Sequence, residues 1–504
     1  MKPPRTGGRI NVLLIKIGTE PGLEDIPLVL RQLDPRIKTF GILNKPEQTH
    51  KFDVVVSSSY DSMLGAHPEY LERALYVRPE LFEQIRHVEG QILRMYDRIA
   101  IQDLSEVARP SPPIPHFKNS FDDRTQLFLR QTAFWDFALQ HFAIDAVIAQ
   151  NYGHTGFDAV LQAVAVANGL PYMFFHEFRP FLRSLQVYES VSGLDSDVPS
   201  RDVIEYAKKH FPFAPDSPGR RELMRQQIGL EESSKKSASP PSSTNRRSLL
   251  RRVLRLMTSR DRLFRTVRRR FRNSKSMKDE RKAQSTKEFP RRFLFCELQS
   301  QPNGTTALKG SMFADQRESL AMIAKYLPSE WALVVKESDR QWTRMYPRRR
   351  SFWTHISVTP KVHVIASTAD AMQMLERSSG LVETSYSTLA LQALQRGLPV
   401  ILLGHTHIGE LAGVFNVRSD SEAAEAVKTV CSREGKRFEP SRTKESLESF
   451  LEKKLVSTVE GALSYAPRLD TKEELQAFKR RTVTNVSAVI VAWLHLKHTS
   501  PTSP

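Results

Sequence analysis

Short apolar runs alternate with amphipathic stretches along the first part of the chain. Five runs rich in branched or aromatic side chains end in polar residues or glycine: INVLLIKIG (10–18), TFGILN (39–44), FDVVVSSS (52–59), IDAVIAQN (144–151) and PYMFFHE (171–177). The stretch TGFDAVLQAVAVANGL (155–170) lies between the last two and has helical character. Buried strands that alternate with helices are typical of a parallel sheet with helical crossovers. The pattern predicts a Rossmann-like domain over residues 1–215.

The same alternation returns after residue 290. The strand-like runs there are RRFLFCELQ (291–299), WALVVKES (331–338), VHVIAS (362–367), GLVETSYS (380–387) and LPVILLG (398–404). They predict a second Rossmann-like domain over 291–470, followed by a C-terminal helix and tail over 471–504. The predicted fold class is therefore α/β, with two doubly wound domains that face a cleft. No G-x-G-x-x-G or Walker A pattern occurs, which disfavours a dinucleotide oxidoreductase or a P-loop NTPase.

One segment carries nearly all of the excess positive charge. The chain has a formal net charge of +18, and the stretch from Lys235 to Arg292 holds 21 Lys and Arg against four Asp and Glu, a net charge of +17. Its beginning, EESSKKSASPPSSTNRR (231–247), has the composition of a flexible linker. Apolar residues then recur at helical spacing between arginines. Residues 216–290 are predicted to be a basic linker that contains an amphipathic helix.

Three interpretations of this helix remain open. It binds an anionic membrane surface, it packs on the protein's own domains with its arginines in water, or it contacts nucleic acid. The segment lacks the interleaved Tyr and Trp that stack on bases, so no nucleic-acid partner is expected. The residues predicted to contact a membrane are Arg251, Arg252, Arg255, Arg268, Arg269 and Phe271.

Cysteine content and hydropathy indicate a cytoplasmic protein. Cys296 and Cys431 are the only two cysteines and lie far apart, which suits a reducing compartment. The first apolar run is too short for a signal peptide, and VSAVIVAWLHL (486–496) is too short to span a bilayer. If the basic helix binds lipid, the protein is expected to be peripheral on the cytoplasmic face of the inner membrane. No metal-binding motif is present, and neither a metal nor another cofactor is expected.

Polar side chains at predicted strand ends of the first domain are candidates for acid–base chemistry. Ligands of doubly wound sheets lie beyond the carboxyl ends of the strands. Four residues fall at such positions and are candidate general bases for a group transfer, namely His154, Asp158, His176 and Glu177. Asp158 is equally expected to brace its helix, and Glu177 is equally expected to pair with Arg179 or Arg183.

The second domain offers candidate ligand-binding residues at two turns. In LQSQPNGTTALKG (298–310) and ETSYSTLALQAL (383–394), amides and hydroxyls follow predicted strands, and a helix start attracts anions. An ordinary polar connection is the structural alternative at the first turn. Simple N-capping by Ser387 is the structural interpretation of the second turn, and it is compatible with anion binding there. Lys336 is expected either to contact a phosphate or to form an ion pair at its strand end. The donor-binding candidates are Gln299, Gln301, Thr305, Thr306, Lys336, Ser385, Ser387 and Thr388.

Three parts of the second domain resemble the bacterial capsule polysaccharide synthesis family, which includes the Kdo transferases of capsule assembly. They are LQSQPNGTTALKGSMFADQ (298–316), LPSEWALVVKES (327–338) and the long stretch from VHVIASTAD to GLPVILLG (362–404). In the first domain, AIDAVIAQNYGHTGFDAVLQAVAVANGLPYMFFHE (143–177) is similar to the same family. The order of these motifs carries the resemblance, and the basic insert has no counterpart in it.

The resemblance implies a glycosyltransferase of the two-Rossmann, GT-B-like type that is inverting and metal-independent. It implies a nucleotide-sugar donor, such as a CMP-linked acidic sugar, whose phosphate would lie at Ser385–Thr388. The implied acceptor is a glycan or glycolipid of capsule or other surface polysaccharide biosynthesis. The polysaccharide assembly machinery would be a further partner.

Four residues depart from the family's pattern at three motif positions. Asn303 stands where relatives carry Glu, Ser338 and Asp339 stand where they carry His-Pro, and Gln392 replaces a Glu of the donor helix. These changes leave a second hypothesis open, namely a catalytically degenerate scaffold that binds glycan or nucleotide-sugar. A nucleic-acid-binding protein that uses the basic insert is the third hypothesis.

The membrane interpretation predicts that residues 246–273 hold the protein on anionic vesicles. Binding should weaken as salt rises, because screening reduces the attraction between the arginines and the lipid charges. Co-sedimentation with phosphatidylserine vesicles at low and high salt measures it, with phosphatidylcholine vesicles as the control. Equal sedimentation of a chain that lacks 246–273 would contradict the interpretation.

Overall fold

The protein is described by a computed structural model in which the chain divides into two compact units. The first unit comprises residues 1–100, 114–228 and 448–504, and the second comprises 101–113 and 229–447. The structure describes residues 8–19, 22–43, 50–58, 76–101, 120–151, 153, 156–177, 184–190, 197–217, 220–227, 274, 277–284, 288–301, 306, 310–338, 341, 348, 350–385, 387–404, 406, 408–433, 436–463 and 471–499.

Five parallel strands form the centre of the first unit's sheet. They are β1 (Ile10–Ile15), β2 (Ile37–Leu43), β3 (Val54–Ser58), β4 (Ala146–Ala149) and β5 (Tyr172–Glu177). Their order across the sheet is β3-β2-β1-β4-β5. Two antiparallel strands continue from β5, namely β6 (Ser184–Ser190) and β7 (Asp197–Pro199). The order reverses between β1 and β4, which is the topological switch point of this sheet.

Helices connect these strands as the alternating pattern predicts. They are α1 (Ile26–Leu33), α2 (Pro79–Ile101), α3 (Phe121–His141), α4 (Phe157–Ala167), α5 (Arg201–His210) and α6 (Arg220–Gln227). Ser120 begins α3 with a capping box, because its hydroxyl accepts from the Asp123 N–H while the Asp123 carboxylate accepts from the Ser120 N–H. Helix α4 is buried from Phe157 to Ala165, which fixes its first turn beside the carboxyl end of β4.

The second unit contains a fully parallel sheet of six strands. They are β8 (Arg292–Glu297), β9 (Trp331–Lys336), β10 (Val362–Ile365), β11 (Leu381–Glu383), β12 (Val400–Leu402) and β13 (Val414–Asn416). Their order is β10-β9-β8-β11-β12-β13. Numbered within the unit, this is the 3-2-1-4-5-6 order of the Rossmann fold, with its switch point between β8 and β11.

Helices accompany the strands of the second unit. They are a 3₁₀ turn (Ser311–Ala314), α7 (Gln316–Tyr326), α8 (Arg350–Val358), α9 (Ala371–Arg377), α10 (Thr388–Gln395), α11 (Asp420–Ser432) and the first part of α12 (Pro440–Ser457), which continues into the first unit from residue 448. Leu294, Leu333 and Val382 of the sheet share one apolar core with Ile323 of α7 and Val427 of α11. The two sheets confirm the predicted α/β class with two Rossmann-like units.

The C-terminal part of the chain returns to the first unit. Strand β14 (Thr458–Glu460) pairs antiparallel with β6, and helix α13 (Lys472–Thr499) contacts α1 and α5. The apolar run 486–494 of α13 is buried in the core of the first unit, which explains its hydrophobicity. The unit boundaries therefore differ from the predicted ones, since 448–470 was assigned to the second domain and 471–504 to a separate helix and tail.

Most of the basic insert lies outside the described residues. This holds for the predicted amphipathic helix and for its membrane-contact residues Arg251, Arg252, Arg255, Arg268, Arg269 and Phe271. A short helical stretch at 277–283 lies near the end of the insert, and Ala283 joins the core of the second unit. Among the helices that the structure describes, none has the length and apolarity needed to cross a membrane.

Candidate functional site

Three acidic residues lie at or next to the carboxyl ends of adjacent strands in the second unit. Glu297 ends β8, Glu383 ends β11, and Glu337 directly follows β9. Parallel strands bring these ends to one edge of the sheet, and the β8–β11 switch point lies among them. Each of these carboxyls must be neutralised or hydrogen-bonded, because buried charge is costly.

Gln299 is the centre of a hydrogen-bond network at this edge. Its side-chain nitrogen donates to Glu383 Oε2 (3.0 Å) and to the Ser385 carbonyl (2.6 Å). Its side-chain oxygen accepts from the Thr306 hydroxyl (3.0 Å) and from the Ser385 hydroxyl. Both amide hydrogens and both lone pairs are therefore used within the protein. Three of the predicted donor-binding residues are brought together, with their polar groups directed at one another.

Two further glutamines fix the backbone that follows β8. Gln316 accepts from the Gln299 N–H (3.1 Å) and donates to the Gln299 carbonyl (2.9 Å). Gln341 makes the same reciprocal pair with the N–H and carbonyl of Gln301, at 2.7 Å each. Each side-chain amide thus replaces a strand neighbour and satisfies backbone groups that the sheet no longer pairs.

Glu383 is the buried carboxyl on which the second turn is built. It is 1% exposed, and its Oε1 accepts from the Ser387 hydroxyl at 2.5 Å. Ser387 also caps α10, because its hydroxyl oxygen accepts from the Ala390 N–H at 3.3 Å, which confirms the capping alternative. Burial raises the pKa of Glu383 to about 8, although the hydrogen bonds from Ser387 and Gln299 act in the opposite direction. This shift favours the protonated, uncharged form of the carboxyl near neutral pH.

Arg348 connects the first turn to a second buried acid. Its Nε and Nη2 donate to the Glu337 carboxylate at 2.5 and 3.2 Å. Its Nη1 donates to Gln301 Oε1 at 3.0 Å, and Nη2 also donates to the Gln299 carbonyl at 2.8 Å. The guanidinium lies 4.3 Å from the Phe352 ring centroid. Both members of the ion pair are buried, so these additional contacts help to offset their desolvation.

Lys336 forms the ion pair that was one of its two predicted roles. Its Nζ lies 2.9 Å from Glu297 Oε1 and donates to the Glu337 carbonyl at 3.2 Å. The side chain of Lys336 is 3% exposed, so its ammonium neutralises the carboxylate at the end of the neighbouring strand. A direct contact between Lys336 and a phosphate stays a prediction.

In the first unit, Asp158 lies at the first turn of α4 beside Lys16. Lys16 follows β1 with a left-handed φ of 59°, and its Nζ lies 3.4 Å from Asp158 Oδ2. The ammonium also lies 5.0 Å from the Phe157 ring centroid. Asp158 is buried, and its Oδ1 accepts from the Ala159 N–H at 3.0 Å. These contacts fit the predicted bracing of the helix.

Glu177 ends β5 and contacts the segment that follows β14. Its Oε1 accepts from the Leu463 N–H at 2.7 Å. The neighbouring His176 places Nδ1 3.1 Å from Asn151 Oδ1. The alternative partners of Glu177, Arg179 and Arg183, lie outside the described residues.

His154 and Thr305 lie outside the described residues, as do Asn303 and Asp339 of the altered motifs. Thr388 is the first residue of α10, and its side chain is exposed. Within the described part of the chain, no group of three or more His, Cys, Asp or Glu side chains is arranged to hold a metal ion.

Two residues that organise this site, Glu383 and Arg348, were not among the predicted site residues. Glu383 carried a usable signal, since it is the last residue of a buried strand and begins the motif ETSYS. Arg348 carried none, because the run YPRRRS contains three arginines and only the fold determines that Arg348 is buried against Glu337.

Comparisons with known proteins do not identify a family. No protein family model matches the chain, and no curated protein matches it. Solved structures with partial likeness include the UDP-GlcNAc 2-epimerase from Methanocaldococcus jannaschii, at 11% identity over 88% of this chain and 99% of that chain, with a TM-score of 0.25. The Neisseria meningitidis UDP-GlcNAc 2-epimerase bound to UDP-GlcNAc shows 11% identity over 88% and 100%, with a TM-score of 0.21. A glycosyltransferase from Rickettsia africae shows 9% identity over 98% and 100%, with a TM-score of 0.25. Likeness at these scores carries no argument, so the fold assignment rests on the strand topology above.

Replacing Arg348 with methionine is expected to lower the free energy of unfolding by about 3–5 kcal/mol, because Glu337 would remain buried without its cation. Urea denaturation measures the change. The matched control is Arg350→Met, at an exposed arginine two positions later, which should change stability by less than about 0.5 kcal/mol.

The double variant Glu337→Gln/Arg348→Met should lose less stability than the sum of the two single variants, because it leaves no unpaired carboxylate. A loss in Arg348→Met no larger than that in the Arg350→Met control would show that the ion pair does not hold the site.

Proposed function

We propose that the chain is a glycosyltransferase-like protein that binds a nucleotide-activated sugar at the β8–β11 switch point of the second unit. The observation that carries the proposal is the joining of Gln299, Thr306, Ser385 and Ser387 around Glu383 at that point. Doubly wound sheets bind ligands where the strand order reverses. The motif resemblance supports a nucleotide-sugar as the ligand, with a CMP-linked acidic sugar as the first candidate donor.

The donor phosphate would lie beside the first turn of α10. Backbone N–H groups at a helix start carry partial positive charge, and the exposed Thr388 side chain offers a hydroxyl there. Lys336 supports this arrangement from a distance, because it neutralises Glu297 and so reduces the negative charge near the phosphate. During transfer, these groups would stabilise the charge that develops on the leaving phosphate.

The acceptor would be a glycan or glycolipid of bacterial capsule or other surface polysaccharide biosynthesis. Glu177, His154 and Asp158 are the proposed general bases for a metal-independent, inverting transfer. The basic insert would hold the protein at the cytoplasmic face of the inner membrane, near a polysaccharide assembly machinery. This part of the proposal rests on the motif resemblance and on the charge of the insert.

A catalytically degenerate scaffold is the second candidate function. Two of the proposed bases already have partners within the protein, since Glu177 accepts from the Leu463 N–H and Asp158 pairs with Lys16. A carboxylate used in this way is less available to take a proton from an acceptor hydroxyl. The scaffold would bind nucleotide-sugar or glycan without transfer.

Isothermal titration with CMP, UDP, a CMP-linked acidic sugar and UDP-GlcNAc tests ligand binding. At least one of these is expected to bind, and Thr388→Ala should weaken that binding about tenfold because one hydrogen bond to the phosphate is lost. The fold should be unaffected, since the side chain is exposed. Thr354→Ala, at an exposed threonine of α8 in the same unit, is the matched control and should bind like the wild type.

Sugar transfer to an acceptor glycan separates the two candidate functions. Turnover that falls in Glu177→Gln while donor affinity is unchanged would support a base at this position. Binding without transfer by the wild-type protein would favour the scaffold. If none of the nucleotides or nucleotide-sugars binds, the proposed function is wrong.

A further inference from the structure

Glu383 contacts both turns that contain the proposed donor-binding residues. Its Oε2 receives the Gln299 amide from the end of β8, and its Oε1 receives the Ser387 hydroxyl from the start of α10. We propose that the Glu383 carboxyl controls the binding of an anionic phosphate at the β8–β11 switch point. The phosphate binds while the Glu383 carboxyl is neutral, and it is excluded once that carboxyl is ionised. This inference rests on the proposed function and names the group that regulates the same site.

The ionisable groups around Glu383 are balanced in pairs. Glu297 is neutralised by Lys336, and Glu337 is paired with Arg348. The Cys296 thiol is buried, and burial raises its pKa well above the ordinary range, so it stays neutral. Opposite Glu383, strand β12 presents the apolar Leu402.

Ionisation of Glu383 would therefore add an uncompensated negative charge among these groups. Among the described residues, the Glu383 carboxyl accepts hydrogen bonds from Gln299 and Ser387 and forms no ion pair. Because the group is buried, this charge would be poorly screened and would act strongly on a phosphate at the same edge. The proton of Glu383 therefore changes the charge at this edge of the sheet by one unit, where a phosphate is proposed to bind.

The pKa of Glu383, about 8, sets the pH range in which the switch operates. If only the neutral form accepts the anion, the dissociation constant of CMP should rise about tenfold between about pH 7 and pH 9. A nucleotide phosphate is already dianionic across this range, since its second pKa is about 6. The nucleoside cytidine is the matched ligand control, because it lacks the phosphate and should bind equally at both pH values.

Glu383→Gln keeps the shape of the side chain and removes the titration. The variant should bind CMP with the same affinity at both pH values, because it has no carboxyl to ionise at this position. Glu425→Gln, at an exposed glutamate of α11, should retain the pH dependence of the wild type. An equal pH dependence in Glu383→Gln and wild type would overturn the inference while leaving the proposed function standing.

A second measurement does not need a ligand. Glu383 has a pKa near 8 in the folded protein and about 4.5 as a free side chain, so the unfolded chain releases this proton at lower pH than the folded protein does. The stability of the wild type relative to Glu383→Gln should therefore be greatest below about pH 4.5 and fall as the pH rises to about 8. Urea denaturation of both proteins across this range measures the difference.

The outcomes are distinguishable. A relative stability that does not change with pH would show that Glu383 is ionised at neutral pH, and the inference would be wrong whether or not CMP binds. If relative stability falls as expected but none of CMP, UDP, the CMP-linked acidic sugar and UDP-GlcNAc binds at any pH, the proposed function fails and the link from this proton to an anion fails with it. The inference is supported if the stability of the wild type relative to Glu383→Gln falls as the pH rises, and if CMP binding weakens at high pH in the wild type and in Glu425→Gln but not in Glu383→Gln.

Discussion

The buried ion pair between Arg348 and Glu337 is the interaction on which the candidate site depends. Arg348 uses its remaining N–H groups to hold the Gln299 carbonyl and the Gln301 side chain, so one guanidinium fixes the turn that follows β8. Burying such a pair is costly unless its remaining hydrogen-bonding groups are satisfied. The glutamines around it satisfy those groups, which explains why this edge of the sheet is so densely hydrogen-bonded.

The protein accommodates its three strand-end carboxyls in two different ways. Glu297 and Glu337 form ion pairs with Lys336 and Arg348, whereas Glu383 receives hydrogen bonds from neutral groups and has a pKa raised to about 8 by its burial. Glu383 lies at the switch point, where a ligand of this fold would bind. A site organised in this way is preformed, because its polar side chains are already held by one another before any ligand arrives.

The sequence predicted the fold well, since the alternation of short apolar runs and helices is a local signal that each Rossmann-like unit preserves. The sequence was a weaker guide to the contacts between segments that lie far apart along the chain. The return of α13 to the first unit depends on the match between the apolar run 486–494 and the core around β1, which no local pattern reveals. Likewise, Gln299, Thr306 and Ser385 were recognised as polar turn residues, but their mutual hydrogen bonds and the role of Arg348 follow only from the packed structure.

The central claim is that ligand binds at the β8–β11 switch point of the second unit. Backbone hydrogen exchange, with and without saturating nucleotide-sugar, tests this most directly, because binding slows exchange where it stabilises the native structure. The account predicts slower exchange at 298–301 and 383–390, where the two turns leave their strands. Protection confined to the first unit, with these two segments unchanged, would contradict it.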